Sequence, residues 1–151
     1  MVSLPSHWSF RALRILTPII AVVLFLQYVL GLWTSAYAPA SGFTGNTSLP
    51  SLDWHYNLGF ALGVLTLLTV IVAAFTRQVR SIAMSILLFA AVAAAGLAGS
   101  RFVSTMPNDP NATIAMGIAF VVALGVNMAF SFRLMQDARA PSTPAMVTPS
   151  A

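Results

Sequence analysis

A chain of 151 residues that is 58% hydrophobic and 7% charged, with a formal net charge of +4 and no cysteine, is not composed as a water-soluble globule. Soluble domains carry about 25% charged residues, and seven basic and three acidic side chains cannot cover a soluble surface of this size. The bilayer is the expected solvent, and the lack of cysteine excludes disulfides, thiolate metal sites and a cysteine nucleophile.

Four apolar runs follow one another, each close to the ~20 residues that a helix needs to cross the hydrocarbon core. The first extends from about 12 to 37, the second from 54 to 76, the third from 81 to 103 and the fourth from 112 to 134. In lipid each run must satisfy its own backbone hydrogen bonds, so all four are predicted helices. Pro18 is expected in the first turns of the first span, where a missing N–H costs least. Ala36-Tyr37-Ala38 imitates a signal-peptidase site, but the apolar run is long for a signal peptide and Pro39 follows the cut, so this span is expected to be retained. Asp53 before Trp54, and Asp109 before Pro110, are predicted caps. The connections 77–80 and 104–111 are short, which makes neighbouring helices antiparallel. The fold expected is an all-α, up-down-up-down bundle of four transmembrane helices within residues 1–135, followed by a flexible cytoplasmic tail over 136–151.

Every basic residue is arginine, and lysine and glutamate are absent. Arg11, Arg14, Arg77, Arg80, Arg133 and Arg139 fall on one side of this topology, and Arg101 alone falls on the other with Asp53 and Asp109. By the positive-inside rule both termini are expected in the cytoplasm, and the plasma membrane is the expected location. Such a bias reports topology, so no nucleic-acid partner is expected. Trp33, Tyr37, Trp54 and Tyr56 mark the outer interface, and Trp8 and Phe10 the inner one. The sequons Asn46-Thr47-Ser48 and Asn111-Ala112-Thr113 fall in the predicted outer loops.

The second span carries the most specific pattern. His55, Gly59, Gly63, Thr66, Val70 and Ala73 recur at helical spacing and form one small or mildly polar stripe. Gly59-x3-Gly63 permits close helix approach, and the third span offers Ala91, Ala95 and Gly99 as a matching surface. Gly59, Gly63, Ala95 and Gly99 are therefore the expected packing residues, with His55 turned into the bundle at its outer end. Gln27 and Asn127 are the in-span polar side chains expected to hold helices together; they lie in opposite halves and are not expected to pair. No Asp, Glu, Lys or Arg lies mid-span, which argues against a proton-coupled pump or ion transporter. Asp53 and His55 do not share a helix face, and neither a phosphate loop nor an H-E-x-x-H motif is present, so no catalytic set and no metal site is read.

The His55-x3-Gly59 step resembles the haem-binding four-helix membrane bundles of the cytochrome b561 and haem A synthase families. That resemblance implies a haem b electron carrier or haem-handling protein with His55 as an axial ligand, Gly59 making room for the porphyrin, Met116, Met106 or a His from another subunit as the second ligand, and Arg101 at the propionates. Those families bring a second His from another span, and here the only other one, His7, lies near the opposite face. The layout from Gln27 to Leu32, from His55 to Gly59 and from Gly96 to Phe102 also resembles small uncharacterised four-span membrane proteins of prokaryotes, which implies no particular activity. The function expected is a non-catalytic accessory or structural subunit of a larger membrane complex, respiratory or oxidative in kind. Its partners would be other integral membrane subunits or further copies of the chain. The haem protein is the first alternative, and a small transporter or channel the second.

Overall fold

The computed structural model describes residues 7–37, 50–105 and 110–139. They form four helices: α1 (His7–Tyr37), α2 (Pro50–Thr76), α3 (Val79–Thr105) and α4 (Pro110–Arg139). Each is long and apolar enough to cross a membrane. At ~1.5 Å per residue, a 27-residue helix such as α2 extends to roughly 40 Å and reaches past the hydrocarbon into both headgroup layers.

Most helix ends lie beyond the apolar runs that announce them. Intrahelical hydrogen bonding does not stop where the side chains turn polar, so the helices continue through interfacial residues that hydropathy counts as loop. α2 opens on Pro50, whose fixed φ and missing N–H suit a first helical position. Asp53 consequently lies in the first turn and complements the helix dipole, instead of capping the helix. Pro18 is well inside α1, not in its first turns, so the Arg14 carbonyl lacks its usual donor. Asn111 is in the opening turn of α4, and residues 136–139, expected as tail, complete that helix. Asn46, Met106, Asp109 and residues 140–151 lie outside the described residues, as does the side chain of His7.

α1 packs against α2 and α4, and α3 packs against the same two helices; among the described residues the diagonal pairs make no close backbone approach. This closed, antiparallel square is the up-down-up-down bundle. It brings Arg11, Arg14, Arg77, Arg80 and Arg133 to one end and Arg101 with Asp53 to the other. Between α2 and α3 the chain reverses through Arg77 alone in left-handed conformation (φ 55°). The turn is closed by the Arg77 N–H donating to the Ala74 carbonyl at 3.2 Å and by the Gln78 N–H donating to the Thr76 hydroxyl at 3.2 Å.

The buried face of α2 runs Leu62, Thr66, Thr69, Ala73, Thr76, alternating steps of four and three as in a coiled-coil seam. Two apolar clusters fill the interior. Ile20, Leu24, Leu62, Leu88, Ala91, Val92 and Ala123 form one, and Leu13, Ala73, Phe130 and Leu134 form the other, at the arginine-rich end. Between them each helix contributes buried polar side chains: Thr17, Thr66 and Thr69, Ser85, and Asn127. The Asn127 amide donates to the Thr17 carbonyl at 3.0 Å, tying α4 to α1. Thr69 and Ser85 donate their hydroxyls to carbonyls of their own helices, each at 2.8 Å. The outward faces are apolar as well, with Phe25, Phe60, Leu97, Ile118, Val121 and Phe132 all exposed. In water such a surface would aggregate; in lipid it is solvated.

Candidate functional site

Polar chemistry within the span concentrates where α1 and α2 cross at the Arg101 end. His55 is half-buried on α2 and turned toward α1. The Gln27 amide nitrogen lies 3.0 Å from the His55 carbonyl oxygen and 3.3 Å from its Nε2. An amide turned the other way would set two oxygens against each other, so the NH2 group faces His55. Because that group only donates, Nε2 must accept, which places the neutral ring's proton on Nδ1.

Two glycines make this crossing possible. A Cβ on Gly31 would stand 3.1 Å from Cε1 of the His55 ring, and one on Gly59 would stand 3.1 Å from the Gln27 amide nitrogen. The helices run antiparallel, so Gln27-x3-Gly31 and His55-x3-Gly59 face each other in reverse order. Each polar side chain occupies the notch that the opposing glycine leaves. The residues form a reciprocal interlock in which four positions on two helices determine one another.

Three buried polar atoms at this end have no partner among the described residues: His55 Nδ1, Gln27 Oε1 and the hydroxyl of Thr34. Thr34 lies one turn from Gly31 on α1. A fourth such atom, Asn127 Oδ1, belongs to the polar layer deeper in the bundle.

The other residues singled out in the sequence are placed elsewhere. Met116 is on α4 with its sulfur 3.5 Å from a Cβ built on Gly99 of α3, and so belongs to the α3–α4 seam. Arg101 is exposed near the end of α3, and Ala95 is half-buried. Gly63 has no atom within 4 Å of a Cβ position. Gln27 and Asn127 do not pair with each other, and each finds its partner on a neighbouring helix. His55 and Met116 are thus on diagonal helices, and the space that Gly59 would give a porphyrin holds the Gln27 amide. His55 and Met116 therefore do not fit as the two axial ligands of one haem within this chain. Among the described residues no group of three or more His, Asp or Glu side chains could hold a metal ion.

Gln27 as the partner of His55 was missed in the sequence. The signal was the repeated polar-x3-Gly step, present in two consecutive antiparallel spans at the same end. Compared with known proteins, the chain matches no family model, no curated protein and no solved structure.

Proposed function

We propose that this chain is a non-catalytic structural subunit that assembles with other membrane helices in a larger complex. In this reading it lies in the plasma membrane with both termini cytoplasmic, as the six-to-one distribution of arginines favours. The respiratory or oxidative kind of complex rests only on the likeness of the His55-x3-Gly59 step to haem bundles. The observation that carries the assembly reading is a contrast among glycines. Gly31, Gly59 and Gly99 each receive a side chain from a neighbouring helix, whereas Gly96, Gly117 and Gly125 are exposed with no atom within 4 Å of a Cβ position. A lipid-facing glycine weakens its own helix by about 0.5–1 kcal/mol relative to alanine. Close approach of a helix from another chain supplies the return.

The test is purification of the tagged full chain from its native membrane in mild detergent, with bulky substitutions at the lipid-facing glycines. Integral membrane partners in fixed stoichiometry with the wild type, lost with Gly96→Ile or Gly125→Ile, are the expected result. A wild-type chain that elutes as a lone monomer sinks the proposal. A Soret absorbance abolished by His55→Ala would overturn it in favour of a haem protein.

A further inference from the structure

The seam between α1 and α4 opens toward lipid as a groove of about 530 Å³, lined by Phe25, Tyr28, Gly117, Phe120, Val121 and Leu124. Small-molecule sites are of this size, roughly 300–1,000 Å³, and are apolar with a few placed polar groups. Here the single polar side chain is that of Tyr28, which is 46% exposed and stacks on Phe120 at a centroid distance of 5.0 Å and an interplanar angle of 20°. Gly117 has no atom within 4 Å of a Cβ position, so a flat ring can lie against the backbone of α4 at this point.

The depth of the Tyr28 phenol is the informative feature. Trp33, on the same helix, marks the nearer membrane interface, and Tyr28 lies five residues, ~7.5 Å, inward of it. The ring leans further inward still. The Asn127–Thr17 contact fixes the antiparallel register of α1 and α4, so Phe120, seven residues back along α4, stands level with Leu24, one turn deeper than Tyr28. Helical side chains lean toward their own N-terminus, which for α1 is away from Trp33, and the stack on Phe120 holds the phenol there. The hydroxyl therefore lies in the hydrocarbon layer, and it has no hydrogen-bond partner among the described residues. Water does not satisfy polar groups at that depth. A phospholipid cannot do so either, because its esters stay at the interface and its chains bring only methylene and methyl groups. Polar groups kept inside a membrane face a partner there. An isoprenoid quinone meets the requirement: it carries two carbonyl oxygens on a flat ring and has no headgroup that anchors it at the surface. We propose that the α1–α4 groove binds the ring of a lipid-soluble quinone, with the Tyr28 hydroxyl donating to one carbonyl and Gly117 giving the ring room. The site is independent of the assembly role proposed above, whose test rests on Gly96 and Gly125, residues outside the groove.

The experiment uses the full chain purified in a neutral detergent and returned to phosphatidylcholine bicelles with menaquinone-4 or with squalene, an isoprenoid that has no carbonyl. The thermal unfolding midpoint and the isoprenoid retained by the chain in native mass spectrometry are read together. Menaquinone-4 should stay with the wild type and raise its midpoint by several degrees more than squalene does. Tyr28→Phe keeps the ring stack and removes only the hydroxyl. It should fold like the wild type in squalene and bind menaquinone-4 about two- to tenfold more weakly, the worth of one hydrogen bond. Gly117→Leu should fill the groove and abolish retention, while Gly125→Ala keeps it. Equal response of the wild type to the two isoprenoids would overturn the proposal, as would undiminished menaquinone-4 binding in Tyr28→Phe. Release of a co-purifying membrane protein by Tyr28→Phe would also overturn it, and would give the groove to a polar side chain of a partner helix.

Discussion

The Gln27 amide reaches two acceptors of a single residue, and this makes the α1–α2 contact specific at the level of individual atoms. In lipid, where apolar burial does not distinguish one helix face from another, a polar contact that exists in one register selects that register. Asn127 does the same for α4 against α1, with its oxygen left unpartnered inside the bundle. The two ends of that carboxamide have opposite effects, since the N–H contributes a hydrogen bond and the idle oxygen carries a desolvation cost. Asn127→Leu should therefore unfold within about 1 kcal/mol of wild type, whereas Asn127→Ala, which empties the site, should cost roughly 1–3 kcal/mol. Unfolding in bicelles measures both, and a larger loss for the leucine variant would show that the oxygen is satisfied. That Gln27 and Asn127 are polar and in separate halves could be read from the sequence. Their partners could not, because a partner is set by the rotational phase of two helices, and an apolar helix solvated by lipid on its outer face encodes that phase weakly.

At the scale of elements, glycine has two uses here that a sequence pattern does not separate. Gly31 and Gly59 are notches filled by opposing side chains, while Gly117 and Gly125 face open space. Gly31→Val should drive a rigid side chain into the His55 ring and cost about 1–3 kcal/mol. Gly125→Ala meets nothing and should stabilise the isolated bundle by about 0.5–1 kcal/mol. The same unfolding assay compares them, and a destabilising Gly125→Ala would mean that this face is packed within the chain. The existence of each helix is legible in its apolar run, but its ends are less so. Hydropathy locates the hydrocarbon boundary, and α1 and α4 continue past it through Trp8 and through Asp137 on hydrogen bonds that composition does not register. Pro18 illustrates the consequence: a helix start placed too late put it in the opening turns, when it is interior.

The whole molecule follows from a few strong constraints. Four spans with short connections after the second and third leave little freedom beyond an antiparallel square, which is why the topology is evident in the chain before its packing is known. The arginines, being few and almost all in turns and flanks, gather at one end as a result. The role of the molecule is less legible, because in a membrane the same apolar surface serves for lipid and for partner helices. What the structure adds is the commitment of its one in-span histidine to a structural contact, with Gln27 and His55 each seated on the other's glycine.

That interlock is best tested by a double-mutant cycle between Gln27→Ala and His55→Ala, read from the unfolding free energy of the purified chain in bicelles. A favourable coupling of about 0.5–1.5 kcal/mol between the two side chains is predicted, in the range of interhelical hydrogen bonds in membranes. Strictly additive losses would contradict the account, since they would mean that His55 and Gln27 act independently and that the histidine is held for another purpose.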